Sequence, residues 1–145
     1  MITFNSERIP LPPLDQPAVS DWIARVASTF GLRVGDVNYI FVDDERILQL
    51  NRQFVGHDYY TDHIGFDYTE GSRIAGDIYI SLDTVRTNAE KFHAPYQHEL
   101  HRVIIHGILH LCGIQDKLPF QRQQMEAEED KALLMLPASC TAPPA

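Results

Sequence analysis

Two spacings of apolar residues alternate along the chain, and each switch between them marks an element. Residues 1–5 (MITFN) predict a short strand, and Pro10, Pro12, Pro13 and Pro17 then favour an extended connection. Ser20 is placed as the N-cap of a helix over 20–30. There Trp22, Ile23, Val26, Ala27 and Phe30 recur at helical spacing before a glycine stop at Gly31. Val37, Tyr39, Ile40, Phe41 and Val42, set between Asp36 and Asp43, are β-branched or aromatic and predict a buried strand. Asp43 or Asp44 caps a second helix carrying Ile47, Leu48, Leu50, Asn51 and Phe54, which stops at Gly56 and leads into the loop GHDYYTD.

Strands over 63–68 and 74–81 follow, joined by Thr69, Glu70, Gly71 and Ser72, residues suited to a hairpin between antiparallel neighbours. Ser81 caps a helix to about residue 92, Pro95 opens a longer one ending at Gly113, and Pro119 starts a last helix to about Leu136. Strands interspersed with helices, without a fixed-period repeat, predict an α/β fold. We expect a mixed, mostly four-stranded sheet packed with about five helices. One domain is expected over 1–136, with the tail PASCTAPPA (137–145) disordered.

Composition narrows the class. The 145 residues, 44% apolar and 22% charged, suffice for a core. Charged residues and prolines interrupt the first twenty positions, so no signal peptide is expected there, and no stretch is apolar enough for a membrane span. Two cysteines, Cys112 and Cys140, argue against a disulfide framework and for a reducing cytoplasm. The formal charge of −8 runs against the basic stripe of most nucleic-acid binders. Part of the excess is local, since Glu126, Glu128, Glu129 and Asp130 crowd the last helix and can point away from a cleft.

The chemistry concentrates near the end of the central helix. His106 and His110 are four residues apart, which at about 100° per residue puts both imidazoles on one face. Gly107 between them costs about 1 kcal/mol in a helix interior, so a close approach of backbone or substrate is expected there. A left-handed cap at Gly113 turns the chain so that Gln115, Asp116 or Lys117 swings back toward the histidines, and Asp116 is the good metal ligand of the three. Two histidines and a carboxylate leave one tetrahedral position for water, as in a catalytic zinc site. Cys112 projects about 200° away from His110 and is assigned to the core. A bare HxxxH spacing more often marks two hydrogen-bonded histidines at the edge of the core.

The string HGILHLCGIQDK, residues 106–117, resembles the YbeY family of zinc-dependent endoribonucleases, whose signature is HGxLHLxGxxH. LNRQF at 50–54, TD at 61–62, GDIYIS at 76–81 and RVIIHG at 102–107 agree in order and spacing, so the resemblance covers roughly 36–135. It implies a metal-dependent hydrolase of single-stranded RNA, active in small-subunit ribosomal RNA maturation. On that reading one zinc per chain is bound by His106, His110 and Asp116. Asp116 stands where the family usually has histidine, and Val55 where it usually has arginine after the aromatic residue. Arg52 is the candidate replacement cation, Thr61 a candidate substrate contact, and Asp62 a candidate catalytic or ligand-supporting carboxylate. His57, His63, His93, His98 and His101 are assigned non-ligand roles.

Three other functions share these residues. A zinc peptidase would use the same site, but zincin helices carry HExxH, and Gly107 occupies the place of that glutamate. A non-catalytic ribosome-assembly factor would use the metal only to fix the turn after Gly113. A non-haem iron oxygenase would use the same two-histidine, one-carboxylate set.

Overall fold

A computed structural model describes residues 1–56 and 61–141. Strands β1 (Ile2–Ser6), β2 (Arg33–Val42), β3 (His63–Asp67) and β4 (Arg73–Ser81) form one sheet in the order β1-β2-β4-β3. The first two pairings are parallel and β3–β4 is antiparallel. Helices α1 (Gln16–Thr29), α2 (Asp44–Leu50), α3 (Leu82–Lys91), α4 (Tyr96–Leu111) and α5 (Pro119–Met135) accompany it. This is the expected mixed α/β architecture.

Helix α1 begins earlier than its apolar pattern indicates. Asp15, not Ser20, is the N-cap, its carboxylate accepting from the Ala18 amide at 3.2 Å. Pro17 lies within the first helical turn, where a missing N–H costs nothing. The second helix also departs from expectation: α2 ends at Leu50 and the chain continues as a π-helical turn over Asn51–Val55 before the left-handed Gly56. Ala138–Cys140 of the tail forms a short 3-10 turn. His57, the Val55 side chain and residues 142–145 lie outside the described residues.

The principal core is built where α1 and α4 meet one face of the sheet, with α5 packed against both helices. Trp22, Ile23, Tyr39, Phe41, Ile74, Ile78, Leu100, Ile104 and Ile105 are essentially inaccessible to water. Its polar atoms are satisfied internally: the Trp22 indole donates to the Ala132 carbonyl, and the Tyr39 hydroxyl to that of Ile104, each at 2.8 Å. A smaller apolar cluster of Val42, Ile47, Leu50 and Ile64 seats α2 beside β3. Helix α4 thus runs through the centre of the molecule, and ten of its sixteen residues are buried.

Gly107 explains how closely α4 approaches β4. A Cβ at this position would stand 3.0 Å from Ile78 Cδ1 and 3.1 Å from its Cγ2. The helix contacts the sheet through bare backbone, as the cost of a mid-helix glycine leads one to expect.

Candidate metal centre

His106 and His110 lie on one face of α4, with their Nε2 atoms 3.0 Å apart. Helix α4 ends in a Schellman turn. The Gly113 amide donates to His110 O and the Ile114 amide to Leu109 O, each at 3.0 Å, with Gly113 at φ +98°. That turn returns the chain to the histidine face. Asp116 Oδ2 comes to 3.2 Å from His110 Nε2 and 3.3 Å from His106 Nε2.

A buried carboxylate fixes the state of His106. Glu129 of α5 bonds His106 Nδ1 through Oε2 and accepts from Arg102 Nη1 at 2.9 Å through Oε1. Arg102 is also held by Glu99, which accepts from its Nε at 2.9 Å. The Glu99 hydrogen bond, outweighing burial, and the charge of Glu129 raise the guanidinium pKa, so the clamp stays charged. With its proton directed at Glu129, His106 presents the Nε2 lone pair to the cluster, the carboxylate–histidine arrangement that supports metal ligands. Burial, then the neighbouring His106, push the His110 pKa below its ordinary value despite Asp116, so His110 is neutral at neutral pH.

Glu129 therefore does the opposite of what the crowding of acids on α5 suggested. Its neighbours Met125 and Ala132, at i−4 and i+3, are buried and mark the core-facing stripe, whereas Glu126 and Asp130 face outward. That stripe was the available signal.

His63 also departs from its assigned place. It opens β3, and its ring centroid is 4.5 Å from that of His106 and 5.6 Å from that of His110. Among the described residues, His63, His106 and His110 form a group whose ligand atoms all lie within 4.8 Å of one another. Asp62 Oδ1 is 2.9 Å from His63 Nδ1. Burial raises the Asp62 pKa, but the His63 hydrogen bond and the fields of His63, His106 and Arg102 outweigh it, leaving the carboxyl below its ordinary value.

The donor set fits a small divalent ion. Metal–nitrogen distances of about 2.0–2.1 Å imply tetrahedral edges of about 3.3 Å. The separations of 3.0, 3.2 and 3.3 Å among His106, His110 and Asp116 are close to that edge. Lone pairs converging at such distances repel unless something positive lies between them.

His63, His110 and Asp116 of the cluster line a groove of about 580 Å³ together with Asn51, Thr61 and Lys117. His110 and Asp116 keep 31% and 32% of their side-chain surface exposed against 14% for His106, so the site opens on their side. Arg52 is exposed on the π-helical turn, and Asn51 beside it is buried. His101 is buried against Trp22, its Nδ1 bonded to Gln97 O at 2.6 Å, as its position around α4 requires. Cys112 packs at the edge of the core, burial pushing its thiol pKa up to about 11.

These features define a small α/β protein with a histidine cluster able to hold a metal ion beside an open groove. The family Endoribonuclease YbeY matches residues 2–136. The Endoribonuclease YbeY of Parabacteroides distasonis is 60% identical over 139 residues, spanning 96% of this chain and 98% of the relative. That of Bacteroides fragilis is 56% identical over 134 residues, spanning 92% and 96%. The solution structure of TM1509 from Thermotoga maritima superposes with a TM-score of 0.64 at 28% identity, covering 94% of this chain and 89% of the other. The chain belongs to the endoribonuclease YbeY family, and the expected hydrolytic endoribonuclease activity is the one that family carries.

Proposed function

We propose that this protein is a zinc-dependent endoribonuclease that cuts single-stranded RNA during maturation of small-subunit ribosomal RNA, with His106, His110 and Asp116 as metal ligands. The observation that carries this reading is the convergence of His106 Nε2, His110 Nε2 and Asp116 Oδ2 beside a groove that His110 and Asp116 line. Acting on ribosomal RNA, the protein works in the cytoplasm; no helix of the described residues is long and apolar enough to cross a membrane.

A bound divalent ion supplies Lewis acidity toward a phosphoryl oxygen and makes a water acidic enough to attack near neutral pH. The chain supplies the rest. Glu129 fixes the His106 tautomer, and the Gly113 turn delivers Asp116. Ile64, Ile78 and Ile114 give the groove an apolar wall. Thr61 and Lys117 line it and offer a hydroxyl and an ammonium to the RNA backbone, with Arg52 as a further cation on the adjoining turn. Asp62, with its carboxylate engaged by His63, acts by positioning that ring.

The peptidase alternative lacks its base, because position 107 is a glycine packed on Ile78. Incubating zinc-loaded protein with single-stranded RNA, duplex RNA and an unstructured peptide tests the assignment. Cleavage of the single strand alone is expected; peptide cleavage without RNA cleavage would overturn it.

A further inference from the structure

We propose that the RNA lies against the main chain of β3 at Gly65, and that the missing side chain there is what admits it to the groove. The proposal rests on the RNA substrate proposed above and names the place in the chain that receives it.

A glycine in the middle of a strand weakens it, so the position needs a reason. Every other glycine has one inside the protein. Gly31, Gly56, Gly71 and Gly113 adopt positive φ, and a Cβ at Gly35, Gly76 or Gly107 would stand 3.0 Å or less from a neighbouring atom. Gly65 has neither reason: its φ is not positive, and a Cβ there would meet nothing within 4 Å. The space it leaves belongs to the groove, which Gly65 lines together with Ile78, its partner on β4, and Gly107.

The backbone of the strand is also available on that side. β3 ends the sheet, with β4 beside it and, among the described residues, no strand on the other side. The Asp62 carbonyl accepts from the Ser81 amide and the Tyr68 amide donates to the Ala75 carbonyl, each at 2.9 Å, which fixes the phase of the ladder. The bonded pairs fall on the even-numbered residues, so the N–H and C=O groups of His63, Gly65 and Asp67 point away from β4. These three residues line the groove, and only at Gly65 does no side chain stand beside the backbone. A donor next to an acceptor suits the edge of an unpaired base or a ribose hydroxyl, and in a duplex the base edges are already engaged. Gly65 is two residues from His63 of the cluster, and Lys117 lines the same groove, so RNA bound here is continuous with the candidate metal centre.

Steady-state cleavage of an unstructured single-stranded RNA by zinc-loaded Gly65→Ala and Gly65→Val tests this, with zinc content and thermal midpoint measured on the same samples. Both side chains have room in the protein and valine suits a strand, so midpoints at or above that of the wild type are expected. KM should rise in Gly65→Ala and further, about 10-fold, in Gly65→Val, with the loss in KM rather than in kcat and with zinc content unchanged. KM values equal to the wild type in both variants would overturn the proposal. So would a lowered midpoint, a fall in zinc content or a loss carried by kcat, each of which would assign Gly65 to the fold or to the metal centre instead. If Gly65→Val fails to fold, as judged by circular dichroism, Gly65→Ala decides alone. The wild type separates the two levels: zinc-loaded protein that does not cut single-stranded RNA refutes the underlying reading. Normal cleavage with indifferent variants refutes only the part given to Gly65.

Discussion

Glu129 shows how one buried side chain sets the chemistry of another. Its two oxygens are divided between Arg102 and His106, so removing its charge releases the His106 tautomer and unbalances a half-buried guanidinium. Glu129→Gln is expected to weaken zinc binding about 10- to 100-fold, the usual effect of losing such support. Glu126→Gln, on the exposed side of the same helix, should leave affinity unchanged, and equal affinities in the two variants would remove Glu129 from the site. Asp116 makes a parallel case. Asp116→Ala should lose most of the metal while Asp116→His retains it, as measured by metal content after dialysis; full occupancy in Asp116→Ala would show that the carboxylate is not a ligand. For the RNA contacts, Lys117→Ala and Arg52→Ala should each reduce the salt dependence of RNA binding by about one counterion. An unaltered slope returns the residue concerned to the solvated surface.

At the scale of elements, the site depends on how α4 meets the sheet and how it ends. Gly107→Ala gains helix propensity of about 1 kcal/mol. It also drives a methyl group to within 3.0 Å of the buried Ile78 side chain, and such overpacking costs about 1–3 kcal/mol. A net lowering of the thermal midpoint is expected, partly relieved by Ile78→Val in the same chain, and a raised midpoint in Gly107→Ala would contradict the close-packing account. The helical histidine pair, the glycine stop and the returning aspartate were legible in the sequence because each is a local effect of helix period or cap geometry. The places of Glu129 and His63 were less legible, since they depend on which elements pack together. Even so, Met125 and Ala132 around Glu129 carried the trace of a buried stripe. The early start of α1 was hidden because Asp15 and Pro17 read as part of a proline-rich connection until the helix is seen to begin there. Apolar spacing reaching Phe54 gave no sign of the switch to a π-helical turn after Leu50.

For the whole molecule, stability draws on neutral histidines, one of which, His110, also belongs to the site. Burial, which outweighs the hydrogen bond to Gln97, pushes the His101 pKa below the ordinary imidazole value of about 6.5, and burial lowers that of His110 likewise. The unfolded chain therefore takes up protons near pH 6.5 that the folded chain refuses. The metal-free protein should keep its full stability above that pH and lose it as pH falls through about 6.5 toward the lower folded values. Denaturant titrations at pH 7 and pH 5 are expected to show this loss, and to show a smaller one in His101→Leu, where only the His110 contribution remains. An equal loss in both would mean that His101 does not resist protonation. The formal charge of −8 leaves RNA binding to rely on local cations at the groove rather than on a basic surface.

The central claim is that His106 and His110 hold the ion on which RNA cleavage depends. The most direct measurement is cleavage of single-stranded RNA by metal-stripped protein before and after zinc is restored, with His106→Ala and His110→Ala treated identically. The account predicts no cleavage by the stripped protein, recovery at about one zinc per chain, and no recovery in either variant. Undiminished cleavage by the stripped protein, or recovery in both variants, would contradict it.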